Sequence, residues 1–258
     1  MDIRESLKKG EVLYGCWQSS GNSIVTEALA GVGFDWIVID MEHSAVSLET
    51  VLSCFQAMEK YDVSPFVRVP SGEPTLIKRV LDIGAFGVVV PNINNRKEAD
   101  RVVKSSLYPP EGMRGLSLST TRNTRFGLRG QEYPISANQK ITIVLQIETK
   151  EGVRNIEEIV KNERIDVILV GPSDLSADMG RLGEWDHPEV VSALEKVERA
   201  AKKAGVSLGV AVTSPEKAAK WIEKGYQFIG LFFDVPYLAK MAQSAIRSIK
   251  KSGKIKKA

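Results

Sequence analysis

The sequence predicts a (β/α)8 TIM barrel, an α/β fold in which eight parallel strands close on themselves, and three observations point there. Short β-rich runs alternate with amphipathic runs, the alternation repeats eight times, and no Ser-, Pro- or Gly-rich linker divides the chain. Parallel strands need crossover helices, eight of them can close, and 258 residues suits one such barrel. An open doubly wound sheet is the second reading. The expected organisation is one domain over 1–258, with an insertion near 107–140 and a basic tail near 250–258.

Taken in order, the strands are expected at 12–18, 36–42, 65–69, 87–92, 141–148, 167–171, 207–213 and 228–234. The helices that follow them are expected at 23–30, 48–61, 75–83, 96–106, 151–162, 188–204, 215–224 and 237–249. Several open on start signals: Asn22 before Ser23, Ser47 before Leu48, and Pro215 after Ser214. The stretch 107–140 carries Pro109, Pro110, Gly112, Gly115, Gly127 and Gly130 and is too long for an idle connection, so an ordered loop or small helical excursion near the active face is expected.

Composition narrows the function. At 43% hydrophobic and 26% charged residues the chain can bury one large core. The net charge of +3 rests on Lys250, Lys251, Lys254, Lys256 and Lys257, so the body is slightly acidic and offers no basic nucleic-acid face. Cys16 and Cys54 are the only cysteines, which excludes a disulfide framework and a thiolate zinc cluster. With no apolar signal-peptide core at the N-terminus and no stretch near the roughly 18 apolar residues of a membrane span, a cytoplasmic protein is expected.

A barrel gathers its chemistry at the C-terminal ends of its strands. There the sequence places Asp40-Met41-Glu42-His43, Arg68, Gln146-Ile147-Glu148 and Gly171-Pro172-Ser173-Asp174. The two-residue period of the fifth strand puts Val144, Gln146 and Glu148 on one face and Ile143, Leu145 and Ile147 on the other, so Gln146 and Glu148 point into the mouth. Asp174 follows the neighbouring strand, about 4.8 Å away. Two carboxylates can share a hard divalent cation and leave positions open for water or substrate oxygens. His43, three residues after Asp40, suits a general base whose tautomer a carboxylate sets. Arg68 can hold a carboxylate or a developing oxyanion, and Asp82, near the end of the third helix, expects a cationic partner. His187 and the four tryptophans are read as structural, with Trp17 placed to wall the pocket.

Absences count too. No strand ends in lysine, which disfavours a Schiff-base aldolase; Lys150 is the nearest candidate. Gly31-Val32-Gly33 precedes a strand, the wrong context for a dinucleotide site. The seventh and eighth loops lack a Gly-rich phosphate grip.

From about Gly15 to Leu238 the chain resembles the HpcH/HpaI aldolase family, metal-dependent class II pyruvate aldolases of the 4-hydroxy-2-oxoheptanedioate and 2-dehydro-3-deoxyglucarate aldolase type. The resemblance is carried by the run Glu27 to Trp36 leading into Asp40-Met41-Glu42-His43, by Arg68-Val69-Pro70, by Tyr108-Pro109-Pro110-Glu111-Gly112-Met113-Arg114-Gly115, by Gln146-Ile147-Glu148-Thr149, and by Gly171-Pro172-Ser173-Asp174-Leu175-Ser176.

That resemblance implies a barrel of the phosphoenolpyruvate/pyruvate-binding type, with Glu148 and Asp174 as ligands to Mg²⁺, Mn²⁺ or Co²⁺ and Arg68 beside the oxygen that becomes the enolate. It implies His43, oriented by Asp40, as acid/base, Gln146 orienting the keto acid, Ser173 offering its backbone amide to the substrate carboxylate, and Asp82 supporting the site across a subunit contact. Substrates would be a small 2-keto acid and an aldehyde, and the assembly a homo-oligomer, trimer or hexamer, in which the last helix is often exchanged. Ala45, Asn92 and the bulky Phe232-Phe233 depart from the family pattern, and the last pair can reshape the aldehyde pocket. Readings on the same fold are a 2-keto acid decarboxylase, a CoA-ester lyase, for which Arg114, Arg122, Arg125 and Arg129 are the only basic cluster, and a non-catalytic keto-acid-binding barrel.

Overall fold

The computed structural model describes residues 2–251. After a short helix α1 (Ile3–Lys8), eight parallel strands close in chain order: β1 (Leu13–Gln18), β2 (Trp36–Asp40), β3 (Ser64–Arg68), β4 (Gly87–Val90), β5 (Thr142–Ile147), β6 (Val167–Val170), β7 (Ser207–Ala211) and β8 (Phe228–Phe233). Between and after them lie α2 (Ser23–Ala30), α3 (Leu48–Met58), α4 (Pro74–Asp82), α5 (Arg96–Ser106), α6 (Tyr133–Lys140), α7 (Lys150–Arg154), α8 (Ile156–Ile159), α9 (Pro172–Asp178), α10 (Pro188–Ala204), α11 (Pro215–Glu223) and α12 (Asp234–Lys251). The tail expected near 250–258 lies, from residue 252 on, outside the described residues.

All eight expected strands form, and most end one or two residues earlier than the sequence pattern extends. The extra residues are those whose side chains or backbone build the mouth, where pairing to the next strand has ended. The cap signals act as read: the Asn22 carboxamide accepts from the N–H groups of Ile24 and Val25, and the Ser47 and Ser214 hydroxyls accept from Thr50 and Lys217. The helix expected at 151–162 is instead two short ones meeting at Asn155, whose side chain donates to the Asn94 carbonyl at 2.8 Å.

Large and small residues alternate around the barrel interior. Gly15 lies in register with Trp36, Gly87 with Phe66, and Gly209 with Phe228. The space above Gly15 and Gly87 is filled by the neighbouring rings, and Trp36 and Phe228 stack with centroids 3.9 Å apart. Ile3 and Leu7 of α1 join this inner cluster, with Leu13 and Val144. The opposite strand faces, such as Ile143, Leu145 and Ile147, pack with the helices, as the alternation predicts.

The insertion corrects an expectation. It carries a 3₁₀ turn at Arg122–Thr124 and then α6, but together with Ser64, Phe86 and Thr142, at or just before the N-terminal ends of β3, β4 and β5, it lines grooves at the bottom of the barrel. Topology requires this: a segment that leaves a helix to start a strand sits at the end opposite the catalytic face. Arg114 and Arg122 are tied down there, to Asp82 and Glu59.

Candidate active site

The mouth is built from the ends of β2, β3 and β5 and the start of α9. Trp36, Val38 and Asp40 share one face of β2 by alternation, which aims Asp40 inward. Its carboxylate takes two bonds from Arg68 on the adjacent strand, Nε to Oδ1 at 2.9 Å and Nη2 to Oδ2 at 2.6 Å. Burial works against the Arg68 cation, yet the Asp40 bonds hold its proton more firmly than usual. Behind the guanidinium lies the Trp17 ring, 5.3 Å from Cζ, which stacks in turn on Phe233. Trp17 thus forms an inner wall of the mouth.

Asp40 does not reach the His43 imidazole, which corrects the expectation that it sets that ring's tautomer. With Arg68 taking both oxygens bidentately, Oδ1 also receives the backbone N–H groups of Glu42 at 3.0 Å and His43 at 3.4 Å. The carboxylate therefore shapes the turn that presents His43, whose side chain is 64% exposed. The nearest carboxylate to the ring is Glu42: its Oε2 lies 3.7 Å from His43 Nε2 and 2.9 Å from Arg68 Nη1. Burial pushes the Glu42 carboxyl up, and Arg68 opposes that push. The sequence offers Glu42, like Asp82, as an ion-pair partner for Arg68, and Glu42 makes that pair; that it also faces His43 was missed, and its place two residues beyond Asp40 on the inward face was the available signal.

Glu148, 4% exposed, projects into the mouth as the β5 alternation predicts. Gln146 donates its amide N–H to Oε2, and the backbone N–H of Asn92 donates to Oε1 at 2.9 Å. Asn92 sits at φ +55°, a left-handed conformation that asparagine tolerates, and this aims its N–H at the carboxylate. Burial pushes the Glu148 carboxyl up; the bonds from Gln146 and Asn92 oppose it, and the nearby charge of Asp174 adds to it. Asp174 and Ser173 are exposed in the first turn of α9, where backbone N–H groups have no intrahelical acceptor. Gly171 lets β6 pass close by: a Cβ there would meet Glu148 Oε2 at 2.8 Å.

The donor chemistry suits a hard cation. Asp40, Glu42, Glu148 and Asp174 bring four carboxylates into one electrostatic neighbourhood whose permanent counter-charge is Arg68. Oε1 of Gln146 is buried without a hydrogen-bond donor. Among the described residues no group of three or more His, Cys, Asp or Glu side chains encloses an ion. A divalent cation held by Glu148 and Asp174 would keep most of its positions for water or substrate oxygens.

Asp82 is not brought to this mouth within one chain. It ends α4 at the bottom of the barrel, where the buried Arg114 donates to Oδ1 at 2.7 Å and supplies the expected cationic partner. His187 caps α10 by accepting the Glu189 N–H at 3.3 Å, the structural role expected of it.

The mouth of this closed barrel joins buried carboxylates, a clamped guanidinium and an exposed imidazole, groups that a barrel enzyme gathers at the C-terminal ends of its strands. The chain belongs to the HpcH/HpaI aldolase/citrate lyase family, whose profile matches residues 13–240. It is 37% identical over 249 residues to the 5-keto-4-deoxy-D-glucarate aldolase of Shigella boydii, covering 96% of each chain. Its structure is similar to that of an aldolase/citrate lyase family protein from Burkholderia cenocepacia, with TM-score 0.92 and 35% identity over 96% of this chain and 98% of that one. A citrate lyase β subunit from M. tuberculosis, in complex with oxaloacetate and magnesium, shares the fold at TM-score 0.58 and 13% identity, covering 90% of this chain and 95% of that one. The protein is an enzyme, an aldolase. No described helix is long and apolar enough to cross a membrane.

Proposed function

We propose that this aldolase cleaves a 4-hydroxy-2-keto acid to pyruvate and an aldehyde, and condenses the two in reverse. The carrying observation is the buried Glu148 carboxylate, held by Gln146 and Asn92 and aimed into a mouth that also holds Asp174 and Arg68. Glu148 and Asp174 would hold Mg²⁺, Mn²⁺ or Co²⁺, which when bound supplies Lewis-acid polarisation of the keto carbonyl.

The chain's own groups do the rest. Ser173 offers a backbone N–H at the start of α9 to the substrate carboxylate, a favourable place for an anion. Gln146 orients the hydroxy-keto acid, its free amide oxygen accepting from a substrate hydroxyl. Arg68, locked by Asp40, places a fixed positive charge beside the keto oxygen, where negative charge grows as the enolate forms. His43 removes the proton of the C4 hydroxyl, directly or through one water; the C3–C4 bond breaks, and its electron pair becomes the enolate of pyruvate. Protonation at C3 then gives the methyl group. Asp82 would support a neighbouring chain's mouth, in a homo-oligomer of three or six copies.

The likeness to a 5-keto-4-deoxy-D-glucarate aldolase puts hydroxy-keto sugar acids first among substrates to screen. The CoA-ester reading loses its basic groove, because Arg114 and Arg122 are paired at the far end of the barrel.

Pyruvate in D₂O tests the enolate half-reaction whatever the aldehyde partner is. With Mg²⁺ or Mn²⁺ the methyl proton signal decays, and excess EDTA stops the decay. A folded, metal-supplied sample showing no exchange overturns the pyruvate reading and turns attention to another keto-acid donor.

A further inference from the structure

Glu42 stands between the two groups that handle charge in the mouth, and nothing in the aldolase reading uses it. Its side chain is 12% exposed, and its Oε2 is buried and makes no hydrogen bond. That oxygen is close enough to Arg68 Nη1, at 2.9 Å, for an ion pair, but is not aligned as a hydrogen bond. On its other side lies His43 Nε2, at 3.7 Å. Asp40 is committed to Arg68 and to the backbone of the turn, so Glu42 is the only carboxylate that the imidazole faces among the described residues.

We propose that Glu42 is a positioning residue that shares one carboxylate oxygen between Arg68 and His43, sets the imidazole tautomer, and stabilises the ring when it is protonated. The inference rests on His43 being the acid/base group proposed above. With Nε2–H turned to Glu42, the neutral ring carries its lone pair on Nδ1, which takes the proton from the substrate hydroxyl. The proton stays on the ring and the carboxylate gains none. The cationic imidazolium then draws closer to Oε2, whose alternative partner, Arg68, remains held by both oxygens of Asp40. The charged groups that bear on Glu42 are Arg68 from β3, Glu148 from β5, and Asp40 and His43 from its own strand exit. Removing its charge weakens the protonated ring specifically, since the guanidinium keeps its bidentate clamp.

The chain has only two histidines, so imidazole NMR resolves them, and His187, held by Glu189 at the start of α10, is an internal control. In Glu42→Gln, which keeps the shape and loses the charge, the ¹⁵N signals of the His43 ring lose their preference for the Nε2–H tautomer, and kcat falls by about 10-fold with KM held. The His187 signals stay in place. Glu42→Asp, which keeps the charge, retains the wild-type tautomer signature and carries the test if the glutamine variant does not fold. A His43 tautomer signature and a kcat that both match wild type in a folded Glu42→Gln sample overturn the proposal. His43→Ala with near-normal cleavage overturns instead the acid/base reading beneath it, so the two failures are distinguishable.

Discussion

At the scale of single residues, the mouth depends on how close neighbouring strands can come. Gly171 shows this most directly. Its φ is an ordinary −107°, so the position does not need glycine for backbone freedom; it needs the missing Cβ. A methyl there would lie 2.8 Å from Glu148 Oε2 and 2.9 Å from Glu148 Cβ, and neither can retreat, because Gln146 and Asn92 hold the carboxylate. Gly171→Ala is therefore expected to fold and to lose activity on the order of 100-fold, the cost of displacing a reacting group by about 1 Å. Circular dichroism together with the pyruvate exchange rate checks this; near-wild-type exchange would mean that the carboxylate position is soft. The Asp40–Arg68 pair obeys the same logic of fixed placement, since its two parallel bonds set the plane of the guanidinium as well as its distance.

At the scale of elements, the interior is ordered by register. Large rings on one strand meet glycines on the next, so the pairs Gly15 with Trp36 and Gly87 with Phe66 leave no slack. A Cβ on Gly15 would lie 2.0 Å from the indole of Trp36, and one on Gly87 would lie 2.1 Å from the ring of Phe66. Either glycine-to-alanine change should destabilise the fold by at least about 1–3 kcal/mol, the usual cost of overpacking a dense core. Urea unfolding monitored by tryptophan fluorescence measures this, and an unchanged midpoint would show that the interior can repack. Helix boundaries are legible where a cap and an apolar stripe coincide: α2, α5 and α10 run as their patterns predict. They are not legible for α1 and α9, which are too short to show a period of 3.6 residues, or for α6, which no side chain caps.

At the scale of the whole molecule, α12 stands apart from the other long helices. Val190, Leu194 and Val197 of α10 are buried, whereas Leu238 and Met241 of α12 are 70% and 68% exposed, and Ile246 is 54% exposed. An amphipathic helix that leaves this stripe in water supports the proposed homo-oligomer, in which a second copy covers it. Leu238→Glu with Met241→Glu should convert the assembly to smaller species in light scattering coupled to size-exclusion chromatography, with helical content retained. A wild-type protein that is monomeric at micromolar concentration would overturn the homo-oligomer.

Local chemistry is why so much of this protein is legible in its sequence alone. Alternation marks a strand and its two faces, caps mark helix starts, and polar residues at the end of an apolar run mark a barrel mouth; each signal is carried by residues a few positions apart. Asp40, Arg68, Gln146, Glu148 and Asp174 all declare themselves that way. Which of them pair does not, because pairing depends on distances between strands far apart in the chain. Closure of the barrel gave the Asp40 carboxylate to Arg68, left Glu42 to face His43, and brought the Asn92 backbone to Glu148. It also carried Asp82 and the insertion to the opposite end, since a barrel has two ends and only the direction of each connection says which one a residue reaches.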